Sequence, residues 1–347
     1  MADRVILGLS GGVDSAVAAL LLRQAGFAVE GVALRLWRAV AGDDSLDAAR
    51  AVAQAVDIPF RVLDLEVRFY RDVVQPFVAH YAQGRTPNPC VACNPTFKFA
   101  ALWEEAQRVG AAWVATGHYA RVEHQPGAPS RLLRARGLRH DQSYALHRLP
   151  QVLLQRVLFP LGALADKAEV RTLAREHGLP SAARPDSQDL CFMLGGDYRD
   201  LLAKIHPDAL RPGPILDETG VVRGEHHGLA GYTVGQRHGL GIAAPAPLYV
   251  LRLDPVNNAL VVGPVASLEQ RECDLEEVTF IAGAPPAAAF AAEARIRYRA
   301  PLVPVDVTIA GPRARVTFAQ AQRGVAPGQS LVFYAGAVVL GGGVIVA

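Results

Sequence analysis

The stretch Gly8-Leu9-Ser10-Gly11-Gly12-Val13-Asp14-Ser15 limits this chain more than any other. An apolar run from Val5 to Leu9 leads into it, and Val13, Val17, Leu20 and Leu21 follow at helical spacing. The order implied is a strand, a glycine-rich turn, and a helix whose start faces the turn. Gly8, Gly11 and Gly12 allow backbone N–H groups to approach a ligand closely, and a helix N-terminus favours negative charge. The expected occupant is therefore an anion, a phosphate chain in particular. A Walker loop would end in Lys followed by Ser or Thr; this octet does not, which argues against an ordinary NTPase.

The rest of the first half repeats the strand–helix alternation. Phe27 to Leu34, Phe60 to Leu65 and Ala112 to Thr116 read as strands. Between them lie helical patterns around Leu46 to Val56, through the seventies, and from about Pro95 to Val109. Such βα units imply a parallel sheet covered on both faces, with ligands bound beyond the carboxyl ends of its strands. His124 to Ser130 reads as an excursion between strands. Near residue 200 the texture changes. Pro207 to Gly241 is rich in turn residues, and from Leu248 the chain alternates with period two. Val305, Val307 and Ile309 should face one way and Asp306 and Thr308 the other, as in a barrel or sandwich, with Ala282 to Ala292 a surface loop.

At 347 residues the chain has room for two or three domains, and 51% hydrophobic with 20% charged residues describes a folded protein. No apolar run approaches the roughly 18 residues of a membrane span. Met1 to Leu7 has no secretory pattern, so no membrane association is expected. Four cysteines do not form a disulfide framework, which suggests a cytoplasmic protein whose thiols do chemistry. The net charge of +2 decides little, but Arg121 to Arg156 holds seven arginines against Glu123 and Asp141. Arg295 to Arg323 holds six against Asp306 alone. These are either solvated faces or a phosphate-binding footprint.

Cys90 and Cys93 lie in Thr86-Pro-Asn-Pro-Cys-Val-Ala-Cys-Asn-Pro95. Asn94-Pro95 reads as a helix opening, with Asn as cap and Pro in the first turn. Cys93 should then sit just ahead of the positive end of a helix, unburied and with a lowered pKa, as a nucleophile or metal ligand. Cys191, in Arg184-Pro-Asp-Ser-Gln-Asp-Leu-Cys-Phe-Met193, could by itself be a small core residue; Cys273 has no motif around it.

Ser10 to Ser15 resembles the pyrophosphate loop of ATP pyrophosphatases, which adenylate a substrate and release pyrophosphate. Further blocks follow in order: Gly84-Arg-Thr-Pro-Asn-Pro89, Cys93-Asn94, Phe97-Lys-Phe99, Thr116-Gly-His-Tyr-Ala120, Asp141-Gln-Ser-Tyr144 and Asp186-Ser through Cys191-Phe192. Then come Gly231-Tyr-Thr-Val-Gly-Gln-Arg-His-Gly-Leu-Gly241, Arg297-Tyr-Arg299 and Pro327-Gly-Gln-Ser330. Over nearly its whole length the chain is similar to the bacterial tRNA-specific 2-thiouridylase family. That resemblance implies an α/β fold: a parallel-sheet ATP-pyrophosphatase domain (adenine nucleotide alpha hydrolase-like) over 1–200, a small central α+β domain over 201–268, and a C-terminal antiparallel β-barrel over 269–347.

It also implies a reaction. The family replaces the 2-oxygen of the wobble uridine with sulfur in tRNAs for Lys, Glu and Gln, using ATP with Mg2+ to adenylate that oxygen. By position, Gly8, Leu9, Ser10, Gly11, Gly12, Val13, Asp14 and Ser15 would bind ATP, with Leu34 and Gly117 beside the adenosine. Cys191 matches the persulfide carrier, loaded by a cysteine desulfurase or a sulfur relay protein. Cys93 matches the nucleophile that frees the sulfur and ends in a disulfide with Cys191. Asn88, Pro89 and Cys90 match the target-base contacts, while His118, His140, Asp141, Gln142, Arg297, Tyr298 and Gln329 match the tRNA contacts. The implied partners are tRNA and the sulfur donor, with the enzyme acting as a monomer. One departure matters: many members carry Asp, a candidate general acid/base, where this chain has Cys90. That leaves Cys90, Cys93 and Cys191 as three thiols that could instead hold a [4Fe–4S] cluster or zinc. The persulfide–disulfide route is favoured over both.

Overall fold

The computed structural model describes residues 2–37, 44–186, 190–193 and 197–346. Seven strands come from the first half: β1 (Arg4–Gly8), β2 (Ala28–Arg35), β3 (Phe60–Asp64), β4 (Trp113–Ala115), β5 (Ala120–Glu123), β6 (Arg131–Arg134) and β7 (Val157–Leu158). Five of them form a parallel sheet in the order β3-β2-β1-β4-β7. β1 is central because its residues are apolar on both faces. Val5 and Leu7 pack with Ala16, Val17 and Val52 of the helices α1 (Val13–Gln24) and α2 (Ser45–Ala55), while Ile6 packs on the other side with Phe99 and Leu102. A buried strand of this kind belongs in a sheet covered on both faces.

The strand and helix expectations of the first half hold, with one shift that changes the site. The helix expected from Pro95 begins at Pro89, with Asn88 as its cap: the Asn88 side chain accepts the Cys90 N–H at 3.2 Å. Pro89–Cys93, Asn94–Lys98 and Phe99–Val109 follow one another as a single helix with a π-turn in the middle. Pro95 has no N–H to give the preceding turn, and the ladder slips so that the Phe99 N–H meets the Asn94 carbonyl. The asparagine–proline signal was real, but the pair that starts the helix is Asn88-Pro89.

Strands β8 (Gly213–Asp217), β9 (Val222–His226), β10 (Tyr249–Asp254) and β11 (Ala259–Gly263) form a small sheet in the order β10-β11-β8-β9. The C-terminal part contains β12 (Glu269–Phe280), β13 (Ala289–Arg295), β14 (Val303–Ala310), β15 (Arg313–Arg323), β16 (Ser330–Ala335) and β17 (Val338–Ile345). These pair antiparallel in the order β12-β15-β14-β13-β16-β17, and β12 also pairs with β17, which closes a barrel. Val305, Val307, Val316, Phe318, Leu331 and Phe333 fill its interior, and Asp306 and Thr308 face outward, as the alternation predicted. Ala289 to Ala292, expected in a loop, is the start of β13, paired with β14 through Ala292 and Val305. The β5–β6 hairpin leaves the first sheet and joins the barrel edge, Leu133 pairing with Val338. Among the described residues no helix is long and apolar enough to cross a membrane.

Candidate active site

The glycine loop joins the carboxyl end of β1 to α1. Gly11 has φ of 78°, and a Cβ there would stand 2.8 Å from the Ala49 nitrogen and the Ser45 carbonyl oxygen, so only glycine lets α2 close against the loop. The Ser15 hydroxyl donates to the Gly12 carbonyl at 3.0 Å and accepts the Ser10 N–H at 3.2 Å, which braces the turn. Gly12 caps α1 without a side chain, leaving the first-turn N–H groups of the helix for an anion.

Asp14, in the first turn, is the centre of a polar chain. Its carboxylate accepts the Tyr119 hydroxyl at 2.6 Å and the Lys167 ammonium at 2.6 Å. Lys167 also lies 3.1 Å from Asp186, which in turn accepts Arg171 at 2.6 Å. Burial works to raise the Asp186 pKa, but hydrogen bonding and charge from Lys167 and Arg171 outweigh it and hold the carboxyl below its ordinary value. Burial, then the bond to Asp14, pushes the Tyr119 phenol far up. Sequence reasoning missed Lys167. It opens the helix Lys167–Glu176 behind the cap Asp166, where a cation opposes the helix dipole, and that misfit was its one visible signal. Gly117 packs on the same turn: a Cβ there would be 2.9 Å from the Asp14 carbonyl carbon and the Ser15 nitrogen. Leu34 is half-buried at the carboxyl end of β2.

The three thiols named from the sequence come together. Cys90, Cys93 and Cys191 lie within electrostatic reach of one another, through Cys90 and Cys93 toward Cys191, and all three are in reach of Lys98. The expectation for Cys93 is corrected, however. It is the fifth residue of its helix and 7% exposed, among Phe69, Phe77, Phe97 and Phe192. Burial pushes its thiol up to about 12, against a smaller opposing pull from Lys98. Cys90 and Cys191 reach the surface, and burial still raises both thiols, again partly offset by Lys98. Ser187 to Asp189 of the motif preceding Cys191 lie outside the described residues. Cys273 faces the barrel core.

Residues 116–119 connect the two halves of the site. Gly117 and Tyr119 touch Asp14, whereas the His118 ring lies 5.7 Å from Phe99, one residue past Lys98. His118 is held neutral, burial lowering its pKa to about 3, and its Nδ1 pairs with the Thr116 hydroxyl at 2.7 Å. The segment leading to Cys90 is held by residues of the barrel part of the chain and by Thr233, between β9 and β10. Arg85 pairs with Glu276 of β12 at 2.6 Å, and the Thr86 N–H donates to the Pro327 carbonyl at 2.8 Å. The Gln329 amide donates to the Thr86 carbonyl at 2.7 Å, and the Thr86 and Thr233 hydroxyls stand 3.4 Å apart.

The remaining candidates fall into two groups. Asp141 is buried, accepting Ala135 N–H, Ser143 N–H and hydroxyl, and Arg295 at 3.1 Å; Gln142 exchanges hydrogen bonds with the Tyr119 backbone. Their side chains brace the wall of the site. His140 lies 5.9 Å from Tyr119, Tyr298 packs near Tyr144, and Arg297 is exposed. The arginine-rich stretches divide likewise: Arg131, Arg134, Arg148, Arg295, Arg315 and Arg323 are ion-paired, whereas Arg136, Arg139, Arg297 and Arg299 have no carboxylate partner among the described residues.

Three family models match in order. One described as "tRNA methyl transferase HUP domain" covers residues 3–195, "tRNA methyl transferase PRC-barrel domain" covers 199–264, and "Aminomethyltransferase beta-barrel domain" covers 270–345. Relatives similar end to end are named tRNA-specific 2-thiouridylase MnmA. That of Roseiflexus castenholzii is 47% identical over 368 residues, covering 98% of both chains. That of Chloroflexus aurantiacus is 44% identical over 350 residues, covering 98% of this chain and 97% of its own. That of Moorella thermoacetica is 43% identical over 352 residues, covering 98% of each. The model descriptions speak of methyl transfer and the relatives of thiolation; the relatives, matched along the whole length, decide between them. A glycine loop joined through residues 116–119 to the helix that carries two of the thiols agrees with that choice, and the chain belongs to the tRNA-specific 2-thiouridylase family.

Proposed function

We propose that this protein is an ATP-dependent tRNA sulfurtransferase that forms 2-thiouridine at the wobble position of tRNAs for Lys, Glu and Gln. The observation that carries the proposal is the convergence of three thiols on Lys98, one short segment away from Asp14 and the glycine loop. ATP is bound along Gly8 to Ser15, with Leu34 and Gly117 flanking the adenosine. Asp14 and the Ser10 and Ser15 hydroxyls are hard oxygen donors of the kind that suits the accompanying Mg2+. The uridine, turned out of its stack, rests against Asn88, Pro89 and Cys90. Its 2-oxygen attacks the α-phosphorus, and pyrophosphate leaves into the loop beside Lys167.

The outer sulfur of a persulfide on Cys191, supplied by a desulfurase or relay protein, then attacks C2. The C2–O bond breaks, and AMP leaves with the original oxygen. Cys93 next attacks the Cys191 sulfur. The S–S bond to the substrate breaks, its electron pair stays on the sulfur at C2 to give the thiocarbonyl, and a Cys93–Cys191 disulfide forms. An external dithiol reduces it before the next turnover, as a reducing cytoplasm allows. Cys93 must lose its proton for this attack, and a thiol near 12 stays protonated until the bound reactants alter its surroundings.

The donor set does not fit a metal centre: no three His, Cys, Asp or Glu side chains among the described residues stand at ligating geometry. A four-iron cluster ordinarily takes four cysteines. No step here runs through a cluster or zinc. The test uses unmodified tRNA with ATP and a persulfide donor, following pyrophosphate and 2-thiouridine together. Cys93→Ser and Cys191→Ser should still release pyrophosphate in a tRNA-dependent manner while forming no 2-thiouridine. Thiolation by Cys191→Ser, or pyrophosphate release indifferent to tRNA, would overturn the proposal.

A further inference from the structure

One block of the sequence is left without a role by the reaction: the turn from Thr233 to Gly241 in the central domain. Its backbone is built rather than loose. The Gly235 N–H donates to the Val250 carbonyl at 2.8 Å, and the Val250 N–H donates back to Gln236 at 2.9 Å. The Gln236 side chain ties the turn internally, accepting the Thr233 N–H at 3.2 Å and donating to the His238 carbonyl at 2.8 Å. Gly235, Gly239 and Gly241 take left-handed φ of 88°, 77° and 66°. The outcome of this construction is that Arg237 and His238 are held outward in solvent.

Three arginines of the same region are neutralised, and these two side chains are not. Arg199, Arg223 and Arg252 of the same region each pair with a carboxylate, Asp197, Asp217 and Asp254 respectively. Among the described residues Arg237 and His238 have none. Placement supplies a second, independent argument. A Cβ on Gly235 would lie 3.8 Å from Gly324 of the barrel domain, and a Cβ on Gly324 would lie 2.8 Å from an Arg297 guanidinium nitrogen. The turn therefore abuts the unpaired Arg297 across the seam between two domains. Its other end, Thr233, touches Thr86, four residues before Cys90. The exposed Arg237 and Arg297 thus belong to the two sides of one seam, and the turn that carries Arg237 also reaches the segment before the thiol helix.

We infer that the Thr233–Gly241 turn is a binding surface for the sugar–phosphate backbone of the RNA substrate, with Arg237 and His238 as its phosphate ligands, continuing the barrel's Arg297 onto the central domain. Rigid presentation of an unpaired guanidinium beside an imidazole N–H donor suits phosphate contacts, which set position and register without reading sequence. This rests on the proposed tRNA substrate, and the experiment separates the two. Binding of unmodified tRNA to the full-length protein is measured by filter retention from low to moderate salt for wild type, Arg237→Gln, Arg237→Lys, His238→Gln and Arg223→Gln. Each phosphate contact contributes about 0.9 to the slope of log K against log salt. Arg237→Gln should flatten the slope by about 1 and weaken binding roughly three- to tenfold at low salt. Arg237→Lys should retain the slope, and Arg223→Gln, whose arginine is paired with Asp217, should not change it. A wild-type slope in both Arg237→Gln and His238→Gln, with tRNA bound normally by wild type, overturns the turn's assignment alone. Failure of the wild type to bind tRNA overturns that assignment and the proposed substrate together.

Discussion

Lys167→Met removes the cation that joins the phosphate loop to the segment before Cys191. The Lys167 side chain is 15% exposed and Asp14 31%, so their 2.6 Å contact is a charge-assisted hydrogen bond largely shielded from water. Such a bond contributes about 1.5–3 kcal/mol. The 3.1 Å contact to Asp186 counts for less, because that carboxylate is 36% exposed and keeps Arg171; about 0.5 kcal/mol is a fair allowance. The substitution should thus destabilise the first domain by roughly 2–3.5 kcal/mol, a fall in Tm of about 4–14 °C for a unit of this size. It should also reduce the acid sensitivity of folding. Asp186 is held below its ordinary 3.8, so its contribution is complete above that value and is lost as pH falls through the folded pKa. With Lys167 gone the depression shrinks, and the acid limb of stability against pH should flatten. If Lys167 also turns from Asp14 to the departing pyrophosphate, the rate of tRNA-dependent pyrophosphate release should fall about 100- to 1000-fold, well beyond the stability effect. Lys167→Arg should recover part of both. A variant with the expected Tm loss but a release rate within about threefold of wild type would refute the phosphate role and leave Lys167 a strut.

Two further outcomes follow from burial. At pH 8, with a thiol near 12, only about one Cys93 in ten thousand is ionised, so iodoacetamide should label Cys90 and Cys191 well before Cys93 or Cys273, as read by peptide mass spectrometry. Early labelling of Cys93 would refute its burial as the cause of its raised pKa. Asp141→Ala leaves Arg295, 10% exposed, and Arg134, 13% exposed, without their shared counter-charge, and should cost about 3–5 kcal/mol by chemical denaturation. Unchanged stability with weakened tRNA binding would instead return Asp141 to the RNA surface.

Local pattern carried much of this protein. The apolar run of β1, the glycines after it and the helical spacing of α1 are properties of a short stretch of chain, set by periodicity and by backbone freedom, and they were legible without coordinates. So was the alternation that builds the barrel, because side chains in a strand face opposite ways at successive residues. The thiol helix shows where local reading stops. Asn88-Pro89 and Asn94-Pro95 carry the same capping signal, and only the packing of Cys93 among four phenylalanines decides that the helix starts at the first pair and absorbs the second proline in a π-turn. With that choice Cys93 changes from a thiolate at a helix end to a buried, protonated thiol. Lys167 and Asp14 are 153 residues apart in the chain, and the Gln329–Thr86 contact spans 243. No spacing rule reaches so far. Such pairings depend on how the sheet, the central domain and the barrel pack against each other, and that packing decides which carboxylate meets which cation and how deeply each thiol is buried.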